Sequence, residues 1–258
     1  MTVTVLEHPL SPYAQKVKLA LHFKGVAFDV EQPMVGTEVE AFAAASPRGE
    51  VPVLRHDGIN LYDSAVIGAY IDETWPEPPL LPSAPLERAQ LRLLEDAMDT
   101  HFEGNTWGLG EVRIFSRAQG EQAERMCAFA EEQIQGWYRW LEPRLQAADW
   151  FNGAAYGWGD MCVVPFVNGA ARFDILPQPG TRLADWLARV NARDDVQAVT
   201  AAAQAAELDP DMMRAAIEGG FKREYRDHRL EWMIRAGGID IVAAGLAADN
   251  IRFNGSFA

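Results

Sequence analysis

Apolar and polar residues alternate from Thr2 to Glu7, with Val3 and Val5 on one side, and predict a strand. Ser11-Pro12 then predicts a helix start, with Ser as N-cap and Pro at the first helical position, where its missing N–H costs nothing. Tyr13, Val17, Ala20, Leu21 and Phe23 follow at helical spacing, and Gly25 supplies a stop. Val26 to Val30 reads as a second strand and Val39 to Ala45 as a short helix. Val51-Pro52-Val53-Leu54 and Ile59-Asn60-Leu61-Tyr62 flank His56-Asp57-Gly58, which is hairpin chemistry. Asp63 or Ser64 then caps a helix carrying Val66, Ile67, Tyr70 and Ile71. The order predicted is βαβ followed by ββα.

Trp75 to Pro85 holds five prolines in eleven residues and reads as a linker. Beyond it the period changes. Leu86 to Met98, Gln119 to Leu145, Asp160 to Phe173 and Arg182 to Ala206 carry helical periodicity, with Glu142-Pro143 ending or kinking the second. His101 to Gly110 interrupts the pattern with three glycines. Asp209-Pro210 opens a short helix that stops at Gly219-Gly220, and the remaining tail reads as mostly helical as far as Asn250. The expected layout is a mixed α/β domain over residues 1–80, an all-α domain over 86–220, and an extension over 221–258 that packs on the body.

Composition narrows the chemistry. The 258 residues carry 37 acidic and 23 Lys or Arg side chains, a formal charge of −14, which disfavours nucleic acid and anionic membranes as partners. Cys127 and Cys162 are far apart and in no metal-ligand or CxxC spacing, so neither a metal site nor a dithiol motif is expected. The N-terminal residues show no signal-peptide pattern and no long apolar run occurs, which makes the cytoplasm the expected compartment.

The N-terminal elements, with Ser-Pro-Tyr opening the first helix, the segment Ser46-Pro47-Arg48-Gly49-Glu50-Val51-Pro52-Val53-Leu54 and Asp63-Ser64 opening the third helix, resemble the soluble glutathione transferases over roughly residues 1–206. The resemblance implies a thioredoxin-like N-terminal domain followed by an all-α domain, glutathione as co-substrate, and a homo- or heterodimer. It also implies a role for each motif. Ser11 would hold the thiol of glutathione as a thiolate, helped by the positive end of its helix. A cis Val51–Pro52 bond would offer Val51 to the peptide backbone of glutathione. Asp63 would take the γ-glutamyl ammonium, and Ser64 with the helix N-terminus its carboxylate. Ser11, Glu50, Val51, Pro52, Asp63 and Ser64 thus form the expected glutathione-binding set, with Ser11 catalytic. Relatives often place a basic or amide side chain before the proline loop for the glycyl carboxylate. Here that stretch reads Gly36-Thr37-Glu38-Val39-Glu40, leaving Arg48 and Gln32 as the nearest substitutes.

For the second substrate, a hydrophobic and aromatic electrophile, the candidates are Tyr13, Phe102, Asn105, Trp107, Arg113 and Phe115. In relatives a hydroxyl residue followed three positions later by Asp caps the central helix; here Gly157 replaces the hydroxyl and Asp160 is retained, a structural signal. A long tail with Lys222, Arg223, Arg226, His228, Arg229 and Arg235, interleaved with Tyr225 and Trp232, resembles the bacterial glutathione-dependent enzymes that cleave lignin-derived β-aryl ethers. Thiol transfer by an enzyme cysteine is disfavoured, because neither cysteine lies in the first domain. The rival of another class is a binding protein, or the partner half of a heterodimer, that reuses the fold without turnover.

Overall fold

The computed structural model describes residues 2–33, 39–145, 148–206, 209–218, 230, 233–234 and 236–248. The basic cluster from Lys222 to Arg229, with Trp232 and Arg235, and the stretch Gly36 to Glu38 lie outside them.

Strand β1 (Val3–Leu6) lies between β2 (Asp29–Glu31) and β3 (Val53–His56), parallel to the first and antiparallel to the second, and β4 (Ile59–Tyr62) completes the order β2-β1-β3-β4. The expected second strand starts later than the apolar pattern indicated. Gly25 at φ 67° ends helix α1 (Pro12–Phe23), and the Val26 N–H bonds back to the Leu21 carbonyl, so Val26 belongs to the helix cap. Between β3 and β4, Asp57 at φ 48° and Gly58 at φ 83° form the two-residue turn that matches the twist of the sheet. Helix α2 (Val39–Ala45) precedes β3, and α3 (Ser64–Thr74) follows β4.

The helical part comprises α4 (Pro85–Ala97), a π turn (Met98–Phe102), α5 (Glu103–Arg113), α6 (Gly120–Leu141), a 3₁₀ turn at Glu142–Arg144, α7 (Trp158–Ala171), α8 (Arg182–Asn191), α9 (Asp194–Ala205), α10 (Pro210–Glu218) and α11 (Ile239–Ala247). Two expectations change here. The glycines after His101 do not break the helix: Phe102, Leu109 and Val112 bury at helical spacing, and that burial offsets a cost of about 1 kcal/mol per glycine. The stretch from Arg182 to Ala206 is two helices, because Arg193 adopts extended backbone and Asp195 accepts from its guanidinium at the start of α9.

The proline-rich linker is pinned at both faces. Leu80 is buried, its N–H donates to Asp72 Oδ1, and its carbonyl accepts from Trp158 N. Lys24 Nζ holds Asp72 and the Pro78 carbonyl, each at 2.6 Å. This approach explains Gly157: a Cβ there would sit 2.6 Å from the Leu80 carbonyl oxygen and 2.2 Å from Asn152 Nδ2. Asp160, fully buried, accepts from the N–H groups of Phe151, Asn152 and Gly157 and from Trp186 Nε1. Burial pushes its carboxyl up to about 6 against those four donors, which pull it down.

Candidate functional site

The first turn of α1 is built as the sequence dictates. Ser11 is its N-cap, and Ser11 Oγ accepts from Ala14 N at 3.3 Å. That bond uses an oxygen lone pair and leaves the hydroxyl proton available to an anion, while the first-turn N–H groups add the positive end of the helix. Tyr13, two residues on, points elsewhere: its hydroxyl donates to the Asp99 carbonyl at 2.7 Å and its ring meets Phe166 edge-on.

The loop before β3 owes its shape to its motif. Ser46 Oγ donates to the Glu50 carbonyl and accepts from Glu50 N, at 2.9 and 3.0 Å, and Gly49 takes φ 66° at the bend. Val51–Pro52 is cis, Val51 is half-buried and Pro52 buried. Asp63 caps α3 through Oδ1, which accepts from Ala65 N and Val66 N at 3.1 and 3.3 Å. Its backbone, at φ 73° and ψ 117°, is outside the left-handed well, a placement costing about 1–3 kcal/mol and usually found where a site demands it. Ser64 is buried at the first helical position.

Arg48, one of the two expected substitutes at the glycyl carboxylate, pairs with two acidic side chains. Its Nη2 lies 3.0 Å from Glu50 Oε2 and 3.2 Å from Asp63 Oδ2, so it joins the loop to the N-terminus of α3. The cation therefore stands between two carboxylates, beside the N-terminus of α3. Its spacing from Asp63 follows only from the folded hairpin, and nothing local in the sequence announces it. Gln32 lies at the end of β2 and lines an open groove of about 850 Å³ with Lys18, His22 and the α9 residues Ala198 and Ala202.

The candidates for the second substrate separate. Phe102 is fully buried against Tyr138 and Phe166, and Phe115 is buried too, positions that suit core packing. Asn105 Nδ2 donates within its own helix to the His101 and Phe102 carbonyls. Arg113 is exposed and donates to the Phe173 carbonyl from 3.0 Å. Trp107 is half-buried on α5, and His101 is exposed with its ring beside that of the buried Trp137.

Sequence reasoning missed the centre that joins the two halves. Lys16, on α1, is fully buried, with Nζ 2.8 Å from Glu95 Oε1 and 2.5 Å from Asp99 Oδ2. Glu95 also accepts from Trp158 Nε1 at 2.9 Å, and the Trp158 ring lies over Gly68 of α3. A lysine between Gln15 and Val17 reads as an ordinary surface position; only the carboxylates of Glu95 on α4 and Asp99 in the π turn, four residues apart, hint at its partners. Burial pushes the Asp99 carboxyl up to about 6, with Lys16 pulling it down and Glu95 and Asp63 adding to the rise. Among the described residues, no cluster of His, Cys, Asp and Glu could hold a metal ion, and no helix is long and apolar enough to cross a membrane.

Residues 6–79 match the family described as "Glutathione S-transferase, N-terminal domain". Glutathione S-transferase U28 of Arabidopsis thaliana is 33% identical over 170 residues, 64% of this chain and 71% of that protein. A glutathione S-transferase from Rhodospirillum rubrum superposes with a TM-score of 0.68 at 25% identity, covering 77% of this chain and 91% of its own. The β-etherase LigF from a Sphingobium strain superposes at 0.65 with 24% identity, over 78% of this chain and 99% of its own, a likeness of fold. The match over 6–79 spans the loop, the cap of α3 and the first turn of α1, and with the Arabidopsis relative it shows that this chain belongs to the glutathione S-transferase family, which uses glutathione as co-substrate.

Proposed function

We propose that this transferase generates its reactive thiolate at Ser11 and uses it to displace a leaving group from a hydrophobic aromatic substrate. The observation that carries this reading is the first turn of α1, where one hydroxyl accepts from Ala14 N and keeps its own proton for a sulfur anion. A free cysteine thiol loses its proton near pH 8.5, so a hydroxyl donor and a helix N-terminus together bring the thiolate into the neutral range. Val51 meets the cysteinyl backbone, Asp63 the γ-glutamyl ammonium, and Ser64 with the α3 N-terminus the γ-glutamyl carboxylate. Arg48 assists at that carboxylate, and Glu50 holds Arg48 in place.

For a β-aryl ether of lignin type, the glutathione sulfur forms a bond to the carbon bearing the aryloxy group. The carbon–oxygen bond breaks, its electron pair leaves with the phenoxide, and the phenoxide takes a proton from water. The fold shared with LigF and the half-buried Trp107 on α5 support this substrate class. We infer a dimer, from the apolar residues left exposed on β4, α3 and α4, and a cytosolic enzyme. The test is incubation with glutathione and a panel of aryl halides, epoxides and β-aryl ethers, read by mass spectrometry for thioether products. Ser11→Ala is expected to lower kcat/KM by about a hundredfold, in line with loss of a donor to the reacting anion. Full turnover by that variant would remove Ser11 from the mechanism, and a chain that binds no glutathione at millimolar concentration would be a binding protein instead.

A further inference from the structure

Of the residues of the helical part that meet the N-terminal half of α1, Asp99 takes polar contacts from two of its side chains. Asp99 sits in the π turn Met98–Phe102, and a turn of this kind inside an α-helix often marks a functional position. Its carbonyl oxygen receives the Tyr13 hydroxyl at 2.7 Å, and its Oδ2 receives Lys16 Nζ. Tyr13 and Lys16 are three residues apart and so share a face of α1 one turn from Ser11. The remaining oxygen, Asp99 Oδ1, is buried and has no hydrogen-bond partner among the described residues, so the hydrogen bond that orients the carboxylate there comes from the lysine. Lys16 is itself completely buried, a placement that is stable only because Glu95 and Asp99 both face it.

We propose that Asp99, acting through Tyr13 and Lys16, is a positioning residue that fixes the first turn of α1, and thereby Ser11, from the second part of the molecule. The inference rests on the reading of Ser11 as the thiolate donor. A packing role alone would require only that the interface be filled. Two directed polar contacts to one residue, at adjacent turns, instead fix rotation and height of the helix end. Such placement matters because a misplacement near 1 Å at a reacting centre can cost about a hundredfold in rate.

Tyr13→Phe is the discriminating variant, since it keeps the ring against Phe166 and removes only the hydroxyl. With glutathione bound, the thiolate is followed by its ultraviolet absorbance against pH, alongside kcat/KM for the best electrophile. Tyr13→Phe and Asp99→Asn are expected to move the apparent thiol pKa up towards that of a free thiol, near 8.5, and to lower kcat/KM at neutral pH by about tenfold, with the loss recovered at higher pH. Lys16→Arg, which keeps the cation, is expected to retain more of the activity than Lys16→Met. Should Tyr13→Phe fold and leave both the thiol pKa and the pH profile unchanged, the positioning role is overturned. Ser11→Ala separates the two readings: if it moves the thiol pKa and Tyr13→Phe does not, the clamp fails and the thiolate site stands. If Ser11→Ala moves nothing, the thiolate reading itself has failed.

Discussion

Asp63 carries two duties that a single substitution can divide. Its Oδ1 caps α3, a role an amide oxygen also fills, and an Asn tolerates a positive φ. Its negative charge, by contrast, is what a γ-glutamyl ammonium would require. Asp63→Asn is therefore expected to keep the melting temperature within about 2 °C, the effect of well under 1 kcal/mol in a protein of this size. The KM for glutathione should rise about tenfold, the weight of one charge-assisted hydrogen bond at roughly 1.4 kcal/mol. A melting temperature that fell sharply with an unchanged KM would make Asp63 a cap and nothing more. Asp160 is the opposite case. Asp160→Asn leaves buried N–H donors facing an amide group that cannot accept from all of them, and should cost about 3 kcal/mol in urea unfolding with glutathione affinity unchanged. The first residue of each motif was legible in the sequence, because a cap, a turn and a proline loop are local and their chemistry names its partner. Arg48, Lys16 and Asp99 were not, since each acquires its role from a residue many positions away.

At the scale of elements, the helix boundaries read from periodicity held within a few residues wherever a cap or a proline ended them. They failed at Arg193, where no glycine or proline marks the break, and after His101, where glycines marked a break that packing overrides. The junction between the two parts is where these elements become one structure. Trp158 of α7 lies across Gly68 of α3, and a Cβ at Gly68 would come within 2.3 Å of the ring. That ring also donates to Glu95, so it cannot move aside without disturbing the partner of Lys16. Gly68→Ala is expected to destabilise by about 1–3 kcal/mol, the usual range for overpacking, seen as a lower urea midpoint. An unchanged midpoint would mean that α3 and α7 slide freely. The pH response of this junction has a definite sign. Asp99 is pushed up to about 6 in the folded protein, above an unfolded value near 3.9, so the folded state binds that proton more tightly. Its contribution to stability is present below about pH 4 and is lost as pH rises to about 6. Asp99→Asn does not titrate, so its stability should fall less steeply than the parent's between pH 4 and pH 6. Parallel slopes in paired urea titrations would remove Asp99 as the source.

For the whole molecule, the question is what covers the apolar residues the fold leaves outside. Ile59 and Tyr62 on the edge strand β4 are 66% and 41% exposed, Val66 on α3 55%, and Leu93 on α4 68%. An edge strand carrying such residues, unpaired on its outer side among the described residues, invites association, and the proposed two-fold dimer would satisfy it by setting like surfaces of two copies together. Charge opposes this pairing. Each chain carries −14, so two copies repel, and only a contact rich in apolar area overcomes the field. The balance gives the proposed dimer a signature that a polar interface would lack. Added salt screens the repulsion without weakening apolar burial, so the dissociation constant should fall as ionic strength rises from about 0.01 M, where the screening length is near 30 Å, to 0.15 M, where it is about 8 Å. Val66→Glu and Leu93→Glu each add charge to the patch and are expected to yield monomer in sedimentation equilibrium with an unaltered far-ultraviolet spectrum. A parent that stays monomeric at every salt concentration, or a dimer that both variants leave intact, would place the exposed patch outside any self-association.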